Sequence, residues 1–487
     1  MKTKPAHPPS PALASGPVHA RALRRRRWLQ WAGACAAASQ AAGFSGSLQA
    51  QPSSAASPAA SPAVAPTSEP PRLALLIGNR DYPDGEDLPP IHKNVRDLRA
   101  VLEKRGFDVS QGLDLDQASA RAATAAFAAK VRAARPDATV FFYFSGHGAQ
   151  VDAENLLVSA RVSPKARPDT LVRTSMTLTR DVMSELPRRP AGLTIAVIDA
   201  CRTSLRDVAG GDGLNQVEAP PGCLIAFATG AGKPAIAPAD DTRNTFYTAS
   251  LVKLLEGASD EISFSDLFRL VKLDVQNVML NHPVALLRQF AQYPFIAENT
   301  QISRRLAPLP ATDDAAATPA PARFASRDEA ADWAALEAAV WPPEIARLAA
   351  EFLKNHPSSR LAGSAEVARA GATEASVILR RRDVRLFRTA FQAAEDLPAT
   401  ELVKAGRGDK DAAARLARNY GRDRNRFDPG RYEGWLQYAA ALGNGIASYE
   451  LALHYRRVGQ PLLAAQYESR ARELGYTPPP SLDNTRK

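Results

Sequence analysis

Cysteine is scarce in this chain: 487 residues contain three, Cys35, Cys201 and Cys223. So few cannot form a disulfide framework. Long apolar runs are missing too. A spanning helix needs about 20 apolar residues, whereas the run at 31–44 is interrupted by Ser39 and Gln40. Acidic residues are absent from residues 1–50, which carry seven basic ones; without that segment the net charge falls from +10 to +3. The basic balance is therefore local and gives nucleic-acid binding little support. What the chain does have is 45% apolar and 23% charged residues, the mixture of a globular protein. Its length leaves room for roughly two to four domains.

Residues 1–50 have the order of an export signal. A basic start ends in LRRRRWLQ, an Ala- and Gly-rich, weakly apolar run follows, and SLQA precedes Gln51. This resembles a twin-arginine signal, with Arg24 where that motif carries Ser or Thr, and implies an exported, periplasmic protein without stable membrane insertion. General secretion, or a basic tail on a cytoplasmic protein, are the other readings. Residues 51–71 are Pro, Ala and Ser with almost no charge, the composition of a disordered linker.

The folded part begins at Arg72. The continuous apolar run at 73–77 suits a central parallel strand buried on both faces. Val95, Leu98, Val101 and Leu102 then recur at helical spacing up to Gly106, and FDV starts a short strand. A second helix over 118–134, with Phe127 and Val131 on one face, leads into another apolar strand. This alternation predicts a doubly wound α/β sheet over 72–300. A short hairpin arm at 155–159, a helix at 178–186, a strand at 193–198, another at 224–229 and helices at 244–256 and 264–280 complete it.

Two of these strands end in reactive side chains. ATVFFYFSGHGAQ breaks from apolar into small and polar residues around His147, and LTIAVIDACRTS does so around Cys201. Open α/β sheets gather ligands at the carboxyl ends of their strands, so the two residues can meet there. A thiol of ordinary pKa, about 8.5, is mostly protonated at neutral pH and needs a neighbouring imidazole to become an efficient nucleophile. His92, His282, His356 and His454 fall in helical or loop contexts. Cys223, in GCLIAFAT, reads as a small buried strand residue.

The S-G-H-G-A and D-A-C-R runs resemble the catalytic loops of caspase-like cysteine peptidases, in their bacterial and metacaspase-like branch. RLALLIGNRDY is similar to that family's first strand and loop, APPGCLIAFATGAGKPA and RNTFYTASLVKLLE to its next strand and helix, and QYPFIAEN to its closing strand. The resemblance spans about 72–300. It implies that Cys201 attacks the scissile carbonyl and that His147 polarises the bond and protonates the leaving amine. It also implies an oxyanion hole made by the N–H groups of Gly148 and Cys201, in which Gly146 permits a sharp turn and Gly148 exposes its N–H. Asp199 stands where relatives that cut after Arg or Lys carry a pocket carboxylate. A second pocket acid of those relatives aligns near Asn94, an amide here, with Asp97 one turn later. Residues 202–221 occupy the place of the activation linker, which makes Arg202 and Arg206 candidate self-processing sites. Calcium activates some relatives, yet no calcium site is assigned: Asp212, Asp240 and Asp241 read as turn residues. No cofactor is expected, and a dependence on calcium stays open. A non-catalytic scaffold of the same fold, and a His-Cys peptidase of the legumain or gingipain type, are the rival readings.

A second linker at 301–325 precedes an Ala- and Leu-rich helical region, 326–480. GWLQYAAALGNGIASYELALHYRRVG and PLLAAQYESRARELGY resemble Sel1-like or tetratricopeptide helix pairs. Ala439, Ala440 and Ala447 would let helices approach, and Trp435, Tyr438, Leu451 and Tyr455 would fill the seam. A docking module for a protein partner and an ordinary helical bundle are both open. The protein or peptide substrate is the one partner the peptidase reading requires.

Overall fold

The computed structural model describes residues 69–202, 214–230, 235–306, 324–392, 398–422 and 428–478 and, of Cys201, Arg202 and Arg422, the backbone alone. The export segment, most of the first linker, Arg206, Asp212 and most of the second linker lie outside the described residues. Among the described residues no helix is long and apolar enough to cross a membrane.

The chain from Arg72 alternates strands and helices: β1 (Arg72–Gly78), α1 (Ile91–Lys104), β2 (Asp108–Leu113), α2 (Gln117–Ala133), β3 (Thr139–Val151), β4 (Glu154–Leu157), α3 (Pro168–Thr174), β5 (Met176–Thr177) and β6 (Leu193–Arg202). It continues with β7 (Cys223–Phe227), α4 (Phe246–Gly257), α5 (Phe264–Leu280), α6 (Ala285–Gln289) and β8 (Phe295–Asn299). The strands form one mixed sheet in the order β2-β1-β3-β6-β7-β8, parallel except for β8, while β4 and β5 extend β3 as antiparallel arms. The apolar runs of β3 and β6 are continuous because both faces of the sheet are covered. Phe141, Tyr143, Ile195 and Val197 pack with residues of α1, α4 and α5 on one face. Phe142, Phe144, Ala196 and Ile198 pack with residues of α2 on the other.

Two sequence expectations change. The segment at 178–186 forms a single π-helical turn, Leu178–Met183, rather than an α-helix. More consequentially, neither reactive strand stops where its apolar run stops: β3 continues through Val151 and β6 through Arg202. Small and polar residues there keep strand geometry because each strand supplies the other's hydrogen-bonding partner as far as the Gly148–Arg202 rung, and β4 pairs the far side of β3. Pairing, not side-chain hydrophobicity, sets the strand length.

Among the described residues eight α-helices follow: α7 (Arg327–Ala338), α8 (Pro342–Asn355), α9 (Ala362–Ile378), α10 (Ala399–Gly406), α11 (Lys410–Arg422), α12 (Pro429–Ala441), α13 (Gly445–Arg457) and α14 (Pro461–Glu473). Trp435, Tyr438, Ala439, Ala440, Ala447, Leu451 and Tyr455 are all buried in one cluster. The sheet and these helices form one compact unit.

The helices meet the sheet at its otherwise free edge. A bare edge strand presents unpaired backbone groups. On β8 they are taken by side chains of α11: Asp411 accepts from the Glu298 N–H at 2.9 Å, Lys410 donates to the Ile296 carbonyl at 2.7 Å and Arg415 to the Glu298 carbonyl at 2.7 Å. The Glu298 side chain points back into a buried ion cluster with Arg269 at 2.8 Å and Lys404 at 3.4 Å, and Arg269 also pairs with Asp409 at 2.9 Å. Burial pushes the Glu298 carboxyl up, but the charges of Arg269 and Lys404 outweigh it and hold the group below the usual carboxylate range. A charge in such a cluster is costly to strand. Replacing Arg269 by Ala leaves Glu298 and Asp409 under-compensated and should cost about 3 kcal/mol or more. Thermal denaturation of the variant beside the wild type measures this; an unchanged midpoint would contradict it.

Candidate active site

The β3–β6 register sets the site. The strands run parallel with Ser145 opposite Asp199, Gly146 opposite Ala200, His147 opposite Cys201 and Gly148 opposite Arg202. His147 and Cys201 therefore share one rung at the carboxyl ends of two adjacent central strands.

The His147 ring is buried, 5% exposed. Its Nε2 lies 2.7 Å from the Glu86 carbonyl oxygen in the loop between β1 and α1. A carbonyl can only accept, so Nε2 carries the proton and Nδ1 keeps its lone pair. Tyr82 supports the ring from the side, edge-on at 4.5 Å between centroids. Its hydroxyl accepts from the His147 N–H at 3.1 Å and donates to the Val158 carbonyl at 3.2 Å. Glu86 is held in turn by an ion pair with Lys165. Burial lowers the His147 pKa, and the Glu86 contact only partly offsets it. The imidazole is accordingly neutral at pH 7.

The glycines serve packing as well as backbone access. Gly146 stands inside β3 and not at a turn; a Cβ there would meet the Tyr82 hydroxyl at 2.7 Å, so glycine is what lets Tyr82 reach the His147 N–H. Gly148 lies between Leu157 of β4 and Arg202 of β6. A Cβ on it would come within 3.0 Å of Ala200 Cβ and 3.5 Å of Leu214.

Asp199 is buried in a polar cluster beneath this edge, 2% exposed. Its Oδ2 accepts from Thr245, from Thr248 at 2.6 Å, from Tyr143 at 3.4 Å and from Asn94 at 3.5 Å. Thr245 is also the N-cap of α4 and Thr248 lies in that helix's first turn, so the carboxylate sits at the positive end of a helix dipole. Burial nevertheless raises the Asp199 pKa, with the hydrogen bonds from Thr245, Thr248 and Tyr143 working against that rise. All these donors converge on Oδ2. Among the described residues none is directed at Oδ1.

Of the other expected residues, Asn94 joins this cluster: it is buried and contacts Ser145 at 3.3 Å and Thr245 at 3.1 Å as well as Asp199. Asp97 does not touch Asp199. It binds Lys93 at 2.6 Å and Asn244, the residue before Thr245, at 3.1 Å, so it borders the cluster through that loop. Arg202 is the last residue of β6, and Arg206 lies outside the described residues. Asp240 is occupied by Arg243 and Thr242, and Asp212 lies outside the described residues. Among the described residues no group of three or more His, Cys, Asp or Glu is arranged to hold a metal ion. His92 and His356 pair with Asp114 at 2.6 Å and Asp332 at 2.9 Å.

Cys223 is free and buried, its thiol pushed up to about 11 by burial. It opens β7 opposite Thr194, seven residues along β6 from Cys201. At about 3.3 Å per residue that is roughly 23 Å, far beyond disulfide reach.

Sequence reasoning missed Glu86, Tyr82, Tyr143, Thr245 and Thr248. Glu86 acts through its backbone carbonyl, for which no side-chain signature exists. Thr245 and Thr248 had one: an N-cap hydroxyl three residues before a helical position is readable before FYTASLVKLLE.

Compared with known proteins, residues 71–304 match the profile of the caspase domain family, Peptidase_C14. That segment has a caspase-like mixed sheet with flanking helices, and the family implies a cysteine peptidase hydrolase. Among solved structures, Caspase-1 from Spodoptera frugiperda is similar at 18% identity over 50% of this chain and 92% of that chain, with a TM-score of 0.38. A search of curated proteins finds no match.

The lowered His147 pKa has a definite consequence for stability. The unfolded imidazole titrates near 6.5 and the folded one lower. The folded form is therefore fully favoured above about 6.5, and that contribution is lost as pH falls below it toward the folded value. Urea midpoints at pH 7.5 and 5.0 should fall less for His147→Gln than for the wild type. Equal falls would show that the ring titrates normally.

Proposed function

We propose that this chain is a cysteine endopeptidase that hydrolyses peptide bonds after Arg or Lys through a Cys201–His147 dyad and an acyl-enzyme. The observation that carries the reading is the shared β3–β6 rung of His147 and Cys201, together with the Glu86 contact that places the proton of the neutral His147 ring on Nε2. A binding scaffold has no use for that pairing.

The chemistry follows from these groups. Nδ1 takes the thiol proton, and Sγ of Cys201 attacks the scissile carbonyl. The N–H groups of Gly148 and Cys201 face the developing oxyanion. As the tetrahedral species collapses, the C–N bond breaks, His147 gives its proton to the leaving amine and the acyl group stays on sulfur. Water, deprotonated by the same imidazole, then releases the acid. The Glu86 carbonyl and the Tyr82 ring hold the imidazole in one tautomer and orientation throughout.

Asp199 is the specificity acid in this reading. Support comes from the one-sided use of its carboxylate: the protein's donors bind Oδ2, which orients the group and leaves Oδ1 for a guanidinium or ammonium. Asn94 takes part as an orienting amide, and Asp97 adds negative charge at the border. Arg202, the last residue of β6, and Arg206 carry the right side chain for self-cleavage after the nucleophile.

Fluorogenic peptides ending in Arg, Lys or Asp test the proposal, using the full chain, Cys201→Ala and Asp199→Asn, with and without calcium. Cleavage after Arg and Lys is expected, abolished in Cys201→Ala. Losing the pocket charge should lower kcat/KM for Arg about 100-fold, or about 3 kcal/mol, in Asp199→Asn. Cleavage after Asp would overturn the pocket assignment, and undiminished cleavage by Cys201→Ala would overturn the nucleophile.

A further inference from the structure

The chain leaves β6 at Cys201–Arg202 and is next described at Leu214. What holds that re-entry point bears directly on the site. Leu214 is 3% exposed and seated over Gly148, the expected oxyanion glycine. The two residues after it, Asn215 and Gln216, are buried polar side chains, 6% and 7% exposed. Buried amides demand partners: Asn215 finds them on the β3–β4 hairpin and the segment after α14, Gln216 on that same segment and the α12–α13 turn.

Asn215 grips the β3–β4 hairpin that extends the His147 strand. Its N–H donates to Asn155 Oδ1 at 2.6 Å, its carbonyl accepts from Asn155 Nδ2 at 3.0 Å, and its Nδ2 donates to the Ala153 carbonyl at 2.9 Å. The other end of the same side chain reaches the end of the helical region, where Oδ1 accepts from the Thr477 N–H at 2.8 Å. Thr477 in turn accepts from Gln150 of β3 at 3.1 Å. Gln216 closes the second half. Its backbone N–H donates to the Gly475 carbonyl at 2.9 Å. Its side-chain amide spans the α12–α13 turn, donating to the Gly443 carbonyl at 3.1 Å and accepting from the Gly445 N–H at 2.8 Å. The first turn of a helix leaves its N–H groups unpaired, so Gln216 supplies a missing partner at the start of α13 and holds the turn that precedes it. An ion pair between Glu218 and Arg418 of α11 follows two residues on.

We infer that the helical region is an intramolecular clamp on the catalytic loops, with Asn215 and Gln216 as its positioning residues. The clamp ties the arm downstream of Cys201 to the hairpin downstream of His147, and seats Leu214 against Gly148. A break in the chain between Arg202 and Leu214 therefore leaves the contacts of Asn215 and Gln216 intact. The inference deepens the peptidase reading and rests on it for its kinetic consequence, while the clamp itself is measurable without catalysis.

The test uses the full chain and the variants Asn215→Ala, Gln216→Ala and Gln216→Glu, with Leu462→Ser on the exposed surface of α14 as control. Two readouts are taken: amide hydrogen exchange over 214–218 and 475–477, and kcat and KM on a peptide ending in Arg. Loss of positioning should lower kcat roughly 10- to 100-fold with KM within about twofold. Protection of both segments should be lost in the two Ala variants. Gln216→Glu, which keeps the acceptor for Gly445 and loses the donor for Gly443, should fall between, and Leu462→Ser should match the wild type. Retained protection in both Ala variants would overturn the clamp. Lost protection with unchanged or raised kcat would overturn the positioning role. A wild type that cleaves nothing contradicts the peptidase reading alone, since the exchange data still decide the clamp.

Discussion

Everything at the candidate site depends on one interaction, the parallel pairing of β3 with β6. The period of a strand is two, so a register slip by one residue would send side chains to the opposite face of the sheet. The observed register aligns His147 with Cys201, Gly148 with Arg202 and Ser145 with Asp199. It is fixed from below by Phe141 to Phe144 and Ile195 to Ile198, whose alternating side chains fill two different cores. The site is thus rigid at its base, and its chemistry is exposed only where the two strands run past their apolar segments.

Around that pair the protein arranges two kinds of polar burial. One orients chemistry: Glu86 and Tyr82 hold the imidazole, while Thr245, Thr248, Tyr143 and Asn94 hold Asp199 by a single oxygen. The other joins the sheet to the helices. Glu298 and Arg269 of the sheet layer share their charges with Lys404 and Asp409 of the helical region, and α11 satisfies the backbone of the edge strand β8. Buried charges of this kind contribute little net stability but make separation expensive. The helical region consequently behaves as a wall of the catalytic unit.

Much of this was legible in the sequence. Apolar runs of strand length, broken by His147 and Cys201, showed the central strands and put these two residues toward their carboxyl ends, because hydrophobic pattern reports burial directly. The ends of those strands were not legible, since SGHGAQV is strand only through its partners β4 and β6. The π-turn at Leu178 was hidden for a similar reason: helical spacing does not distinguish a five-residue from a four-residue hydrogen-bond step. Contacts made by backbone, such as the Glu86 carbonyl on His147, have no residue signature. Nor did the composition of the helical region reveal what it packs on, because Gln216 and Asn215 look like loop residues until the α12–α13 turn is seen against them.

The central claim is that Cys201 is a nucleophile made reactive by His147 in a site that accepts a basic residue. Its most direct measurement is labelling of the full chain with an arginyl chloromethyl ketone at pH 7, followed by peptide mapping by mass spectrometry. The account predicts one adduct, on Cys201, formed at least tenfold more slowly in His147→Ala. An adduct on Cys223, or labelling of Cys201 at the same rate without His147, would contradict it.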